Sequence, residues 1–210
     1  MTTSVRKKPL FEQLCSLPVL GLIIRVTNSH AFHGDVRSDR QFAGWARWIK
    51  AFGPELCISI ALTFLTNWKY VFDSVIARQL QPCVSGFSCN PGALLTSILP
   101  SILGFGIGVY ALIFTLTPVF VKDAQLRIKA QVEANERNFG SVLMINADLA
   151  FPLIVLILSL ACAVVQQLAP QSVLIIFITW VATWFSITQI LALVAVIHGL
   201  ADGSLIEKAK

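Results

Sequence analysis

Residues 149–201 read LAFPLIVLILSLACAVVQQLAPQSVLIIFITWVATWFSITQILALVAVIHGLA, 53 consecutive positions between Asp148 and Asp202 without one Asp, Glu, Lys or Arg. A helix that crosses a bilayer takes roughly 20 apolar residues, so this stretch holds two spans and the turn between them. Gln166-Gln-Leu-Ala-Pro-Gln171 is that turn, and its shortness makes the two spans antiparallel neighbours. A second charge-free stretch, 43 residues between Arg78 and Lys122, holds a polar loop and one more span. The apolar run entered at Gly53-Pro54 supplies the remaining one.

Composition agrees with this reading. Apolar residues make up 56% of the 210 and charged residues 13%, against about 25% charged in ordinary soluble domains. The mean hydropathy is +0.75. The sequence therefore predicts an all-α integral membrane bundle of four transmembrane helices, with spans near 52–76, 93–121, 143–168 and 172–200. An N-terminal segment, residues 1–51, precedes them, and a short tail, 201–210, follows.

The net charge of +5 is a topology signal rather than a polyanion site, because the 16 basic residues are unevenly placed. Eight of them lie in residues 1–50, and Lys122, Arg127, Lys129 and Arg137 sit between the second and third spans. The other two inter-span segments hold only Arg78, with Lys69 just inside the first span. The positive-inside rule then places both termini and the middle loop in the cytoplasm, and no nucleic-acid partner is expected.

Arg6, Lys7 and Lys8 ahead of Leu14–Ile24 imitate a short signal peptide. Cleavage there would leave Arg37, Arg40, Arg47 and Lys50 outside, against the charge rule, so an uncleaved cytoplasmic or interfacial segment is expected. Ser38-Asp-Arg-Gln41 has the pattern of a capping box, and Phe42, Trp45, Ile49 and Phe52 follow at helical spacing. This predicts an amphipathic helix in the inner interface, anchored at headgroup depth by Trp45 and Trp48.

Of five cysteines, only Cys83 and Cys89 share a loop, within QPCVSGFSCNPG, where Pro and Gly turn the chain in an outward-facing segment. A disulfide between them is expected, with free thiols or an incomplete metal pair as the competing readings. Gly104 and Gly108 form a G-x-x-x-G pair in the second span, extended by Ser97 and Ser101. Such small residues suit close helix approach in lipid, within the chain or at an oligomer interface. Pro100 and Gly106 also allow a hinge in the same helix.

Ionisable residues at bilayer depth are costly, and here Glu55 and Asp148 fall near the inner ends of different spans. They are candidates for an ion vestibule that an oligomer would repeat as acidic rings. The plainer alternative has each facing headgroup water or pairing with Arg47, Lys50 or Arg137. Lys69 and Asp73, four apart, suit a structural pair. His30-Ala-Phe-His33 with Asp35 lacks the cysteine partners and the general base of known zinc motifs, so no metal site is expected. G-x-S-x-G and H-E-x-x-H are missing from the sequence, and neither an enzyme nor a cofactor is expected.

The glycine-rich segment from Leu99 to Phe114, the four spans, the tight last hairpin and the basic N-terminus together resemble the small four-helix membrane proteins of bacterial antiphage systems, the Kiwa membrane subunits among them. The resemblance implies a bacterial inner-membrane location and an oligomeric sensor or effector in antiviral defence, working with a cytoplasmic protein partner. It carries over no functional residue. The runner-up expectation from the residues themselves is a small oligomeric cation channel.

Overall fold

The computed structural model describes residues 14–39, 41–68, 90–111, 117–134 and 143–208. Among them the regular structure is helical: α1 Leu20–Ala31, a 3₁₀ turn Val36–Asp39, α2 Trp45–Thr66, α3 Pro91–Ala111, α4 Pro118–Glu133, α5 Leu143–Leu168 and α6 Val173–Lys208. Four stretches, Trp45–Thr66, Pro91–Ala111, Leu143–Leu168 and Val173–Asp202, are long and apolar enough to cross a membrane. The chain is an all-α protein with the four spans expected of a multi-pass membrane protein. It divides into two compact units, one of Met1–Ala51 with Thr117–Phe151 and the other of Phe52–Leu116 with Pro152–Lys210.

The second unit is a four-helix bundle whose directions follow from its contacts. Gly92 N–H donates to Gln166 Oε1 at 3.0 Å and Gln167 Nε2 to Thr96 Oγ1 at 3.0 Å, so the start of α3 meets the end of α5. Farther along, Gly106 of α3 abuts Leu153 of α5, which makes the two antiparallel. On the other side Glu55 meets Gln189, while Phe64 packs edge-on against Phe177 at 5.3 Å, so α2 runs antiparallel to α6. Ser159 Oγ donates to Ala182 O at 3.4 Å across the last hairpin. The result is the up-down-up-down order of adjacent spans.

Leu95, Leu99, Leu153, Leu156 and Ala163 form the buried core, with Ile102, Leu103, Tyr110, Leu160 and Ile190 packed on it. Lipid tails are as apolar as these side chains. Packing density, not removal of surface from water, therefore holds the core together in a bilayer. Gln166 adds a polar clamp: its carbonyl takes one of the orphan N–H groups at the start of α3, which the helix itself leaves without an acceptor.

The first unit is organised by Asn28 on α1, which is fully buried. Its Nδ2 donates to Ser38 O at 2.7 Å and Gln41 O at 2.9 Å, and its Oδ1 accepts from Ala43 N–H at 2.9 Å. These bonds correct the expected capping box. Residues 36–39 form a 3₁₀ turn, and α2 begins only at Trp45, because a side chain ten or more positions away has claimed the backbone groups of the turn. Gly34 closes the same region at φ +71°, with its α-carbon pressed against the Leu143–Met144 backbone, where any side chain would collide.

Three boundaries differ from the sequence reading. The interfacial helix and the first span, expected to part at Gly53-Pro54, belong to one helix with Pro54 inside it. The second span is expected to run to 121, but a new helix starts at Pro118, with Thr117 Oγ1 accepting from Phe120 N–H at 3.2 Å. The last span continues as helix to Lys208. The third span lies over the residues expected, Leu143–Leu168.

Candidate functional site

In a bilayer the expected arrangement is apolar on every face. The face that α2 turns inward is polar instead: Ser59 and Thr63 are its buried residues, and Asn67 just beyond the helix is buried as well. With Glu55 they recur every fourth position, which keeps them on one side of the helix. α6 answers with Thr179, Thr183, Ser186 and Gln189, all buried. Two side-chain bonds join these helices along the seam. Gln189 Nε2 donates to the Glu55 carboxylate, and Trp184 Nε1 donates to Thr66 Oγ1 at 3.0 Å.

The hydrogens of this seam are directed at the helix backbone. Ser59 Oγ donates to Glu55 O at 2.7 Å, Thr63 Oγ1 to Ser59 O at 2.8 Å and Asn67 Nδ2 to Thr63 O at 2.9 Å. On the facing helix Thr179 Oγ1 donates to Ile175 O at 2.8 Å and Thr183 Oγ1 to Thr179 O at 2.7 Å. Each of these groups satisfies its donor within its own helix. Ser186 Oγ is the exception, because it is buried with no hydrogen-bond partner among the described residues.

On α3 the small residues form a second feature. At about 100° per residue, Ser97, Ser101, Gly104 and Gly108 share one face, and Leu95, Leu99 and Gly106 lie opposite. The first set is exposed and the second buried. A Cβ added to Gly104 or Gly108 meets nothing within 4 Å. Packing of this pair within the chain is thereby corrected. Gly106 does that work, its Cβ position lying 2.5 Å from Leu153 Cδ2 and 3.6 Å from Leu193 Cδ2.

The two acidic candidates are each held inside their own unit. Glu55 belongs to the second unit with Gln189. Asp148 belongs to the first, where His30 Nδ1–H donates to Asp148 Oδ1 at 2.9 Å and the imidazole stacks on Phe151 at 4.4 Å. The partner of Asp148 is thus a histidine, and α1 carries it there. His33 sits past the end of α1 at φ 50°, so the two histidines do not share a helical face. Asp35 binds Arg37 at 2.7 Å. Among the described residues no three His, Cys, Asp or Glu side chains converge as a metal site.

Burial acts to raise the Asp35 carboxyl, but the guanidinium and backbone N–H of Arg37 and the charges of Arg37 and Arg47 together bring it below its ordinary value. Arg47 also lies 4.5 Å over the Phe32 ring. Of the two tryptophans expected as interfacial anchors, Trp45 is exposed over 85% of its surface, whereas Trp48 ties its Nε1–H to Ala43 O at 3.1 Å. Cys15, Cys57 and Cys162 are free thiols. Cys83 and Cys89, and the Lys69–Asp73 pair, lie outside the described residues.

No family model, curated protein or solved structure matches this chain. The site is therefore read from its own chemistry. The buried hydroxyls carry no charge to mark them in the sequence. Their signal was present as Ser and Thr at spacings of three and four within otherwise apolar helices, a pattern no lipid-facing surface needs.

Proposed function

We propose that this chain is a non-enzymatic membrane subunit that self-associates through the Ser97–Ser101–Gly104–Gly108 face of α3. The observation that carries this reading is the empty space over Gly104 and Gly108 on the side of α3 opposite the bundle core. A lipid-facing helix surface gains nothing from small residues, and Ile98, Phe105 and Ile107 beside the stripe are large and exposed. A second copy of the same helix does gain, because small residues let two backbones approach closely where packing is the driving force. One face meeting its own copy also closes a symmetric contact.

Support for a soluble partner comes from α4, none of whose described side chains is buried. Val119 and Leu126 stand exposed on it among Lys122, Asp123 and Lys129. The charge distribution assigns this helix and both termini to the cytoplasm. The resemblance to antiphage membrane subunits supplies the setting, a sensor or effector of bacterial defence in the inner membrane.

Cysteine crosslinking in native membranes tests the interface. With the native cysteines replaced, Ser97→Cys and Ser101→Cys chains should form disulfide-linked dimers on mild oxidation, and Ile107→Cys on the flank should form far fewer. Equal yields at all three positions would reject the face.

A further inference from the structure

We infer that the turn leading into α1 docks on the lipid surface of the inner leaflet and selects anionic headgroups there. Leu17, Val19, Leu20 and Leu22 enter the acyl boundary, and the basic residues of the N-terminal segment meet the lipid phosphates. The inference goes beyond self-association through α3 and concerns a different part of the chain.

The turn holds apolar side chains outward. Leu20 N–H donates to Pro18 O at 2.7 Å around Val19, whose φ of 63° and ψ of −59° are those of the rare γ-turn. A β-branched residue takes positive φ only where its surroundings impose it. The base of the turn imposes it here. Gly21 N–H donates to Leu17 O at 2.9 Å, Arg25 Nη2 donates to Cys15 O at 3.3 Å, and Gly21 lies so close to the Cys15 carbonyl that no side chain would fit. Cys15 and Gly21 are buried by this fold-back, while Leu17, Val19, Leu20 and Leu22 stand exposed, Val19 over 72% of its surface.

Four exposed apolar side chains within six positions call for an apolar cover. Charge decides which one. From Leu14 to Gly34 the chain holds no Asp or Glu, and Arg25 stands exposed one turn past Leu22. Residues 1–50 carry eight Lys and Arg against Glu12, Asp35 and Asp39, whereas the rest of the chain balances eight basic against eight acidic residues. The whole net charge of +5 thus lies in the N-terminal segment. An apolar tip with a basic surround inserts its apolar residues at the acyl boundary and draws anionic headgroups to its charges. The four spans tether the tip to a bilayer, so lipid meets it at a high effective concentration that a soluble partner lacks.

The test uses the full chain with its native cysteines replaced and Leu22→Cys carrying an environment-sensitive fluorophore, in nanodiscs of phosphatidylcholine alone or mixed with phosphatidylglycerol. Lipids with brominated acyl chains should quench the label, at least twofold more in the phosphatidylglycerol mixture, and high salt should remove the difference. Lys129→Cys on α4, labelled in the same way, should stay unquenched in both. Glycine suits the positive φ, so Val19→Gly should keep the turn and lower the quenching at Leu22→Cys. Leu17→Cys gives a second labelled position if Leu22→Cys does not fold. A label on the tip quenched no more than one at Lys129→Cys, or quenched equally in the two lipid mixtures, overturns the proposal. So does a label shielded from aqueous iodide yet unquenched by lipid, since a protein surface would then cover the tip.

Discussion

Glu55 on α2 accepts a hydrogen bond from the side-chain amide of Gln189 on α6, joining two spans that lie 134 positions apart in sequence. A carboxylate inside a span needs a partner, because the neighbouring lipid offers none. Here the partner is a neutral amide, so the half-buried carboxyl of Glu55 is held by a hydrogen bond rather than by a second charge.

Removing the donor should cost more than removing the charge. Gln189→Leu leaves the carboxylate facing an apolar side chain, and loss of a charged hydrogen bond predicts destabilisation of about 2 kcal/mol. Glu55→Gln retains an amide-to-amide bond and should lose about 1 kcal/mol or less. Equilibrium unfolding in mixed micelles measures both. A larger loss for Glu55→Gln would contradict the assignment.

The three glycines of α3 should separate by the face they occupy. Gly106→Ala drives a methyl into Leu153, the flexible tip of which must give way, with an expected cost of about 1–2 kcal/mol to folding. Gly104→Ala meets open space and should leave the stability of the single chain unchanged or slightly raised, since alanine favours helix over glycine by about 1 kcal/mol. Unfolding of the two variants at high detergent-to-protein ratio, where self-association is diluted out, checks the contrast.

Asn28→Ala removes two donors and one acceptor that hold the backbone of residues 38–43. At about 1 kcal/mol per bond, and with backbone groups left buried, the first unit should lose about 3 kcal/mol. Limited trypsin digestion gives a local readout: cleavage after Arg37 should accelerate well ahead of cleavage after Lys129 on exposed α4. Equal acceleration at both would mean that Asn28 does not act locally.

Asp35 gives the first unit a defined acid response. Its folded carboxyl lies below its ordinary value, so its ionised form is bound more favourably in the folded state. That contribution is fully present above the unfolded value of about 3.9 and fades as pH falls through the lower folded value. Wild type should therefore lose stability below about pH 4 relative to Asp35→Asn, and the two should run parallel between pH 5 and 8. Thermal midpoints across that range measure the difference.

Hydropathy made the spans legible, and it did so best where side chains face only lipid or core. The span near 143–168 is legible because its apolar run is long and is bounded by Asp148 and the Gln166–Gln167 pair. The start of α2 was not legible, since Ser38 and Gln41 form a good local cap pattern and nothing nearby reveals that Asn28 competes for the same backbone. The glycine pair suits close packing by its spacing, but a stripe of small residues does not state whether its partner is the same chain. Only the placement of Leu95, Leu99 and Gly106 on the opposite side answers that. The last hairpin carries no charge, yet its second helix buries Thr179, Thr183, Ser186 and Gln189.

Self-association through α3 is tested most directly by counting copies of the purified chain in large nanodiscs by native mass spectrometry, for wild type and for the double variant Gly104→Leu, Gly108→Leu. Leucine at these positions meets open space within the chain, so the variant should fold. Wild type should appear as a defined oligomer, and the variant as a folded monomer. A monomeric wild type, or an oligomer unchanged by both leucines, would contradict the account.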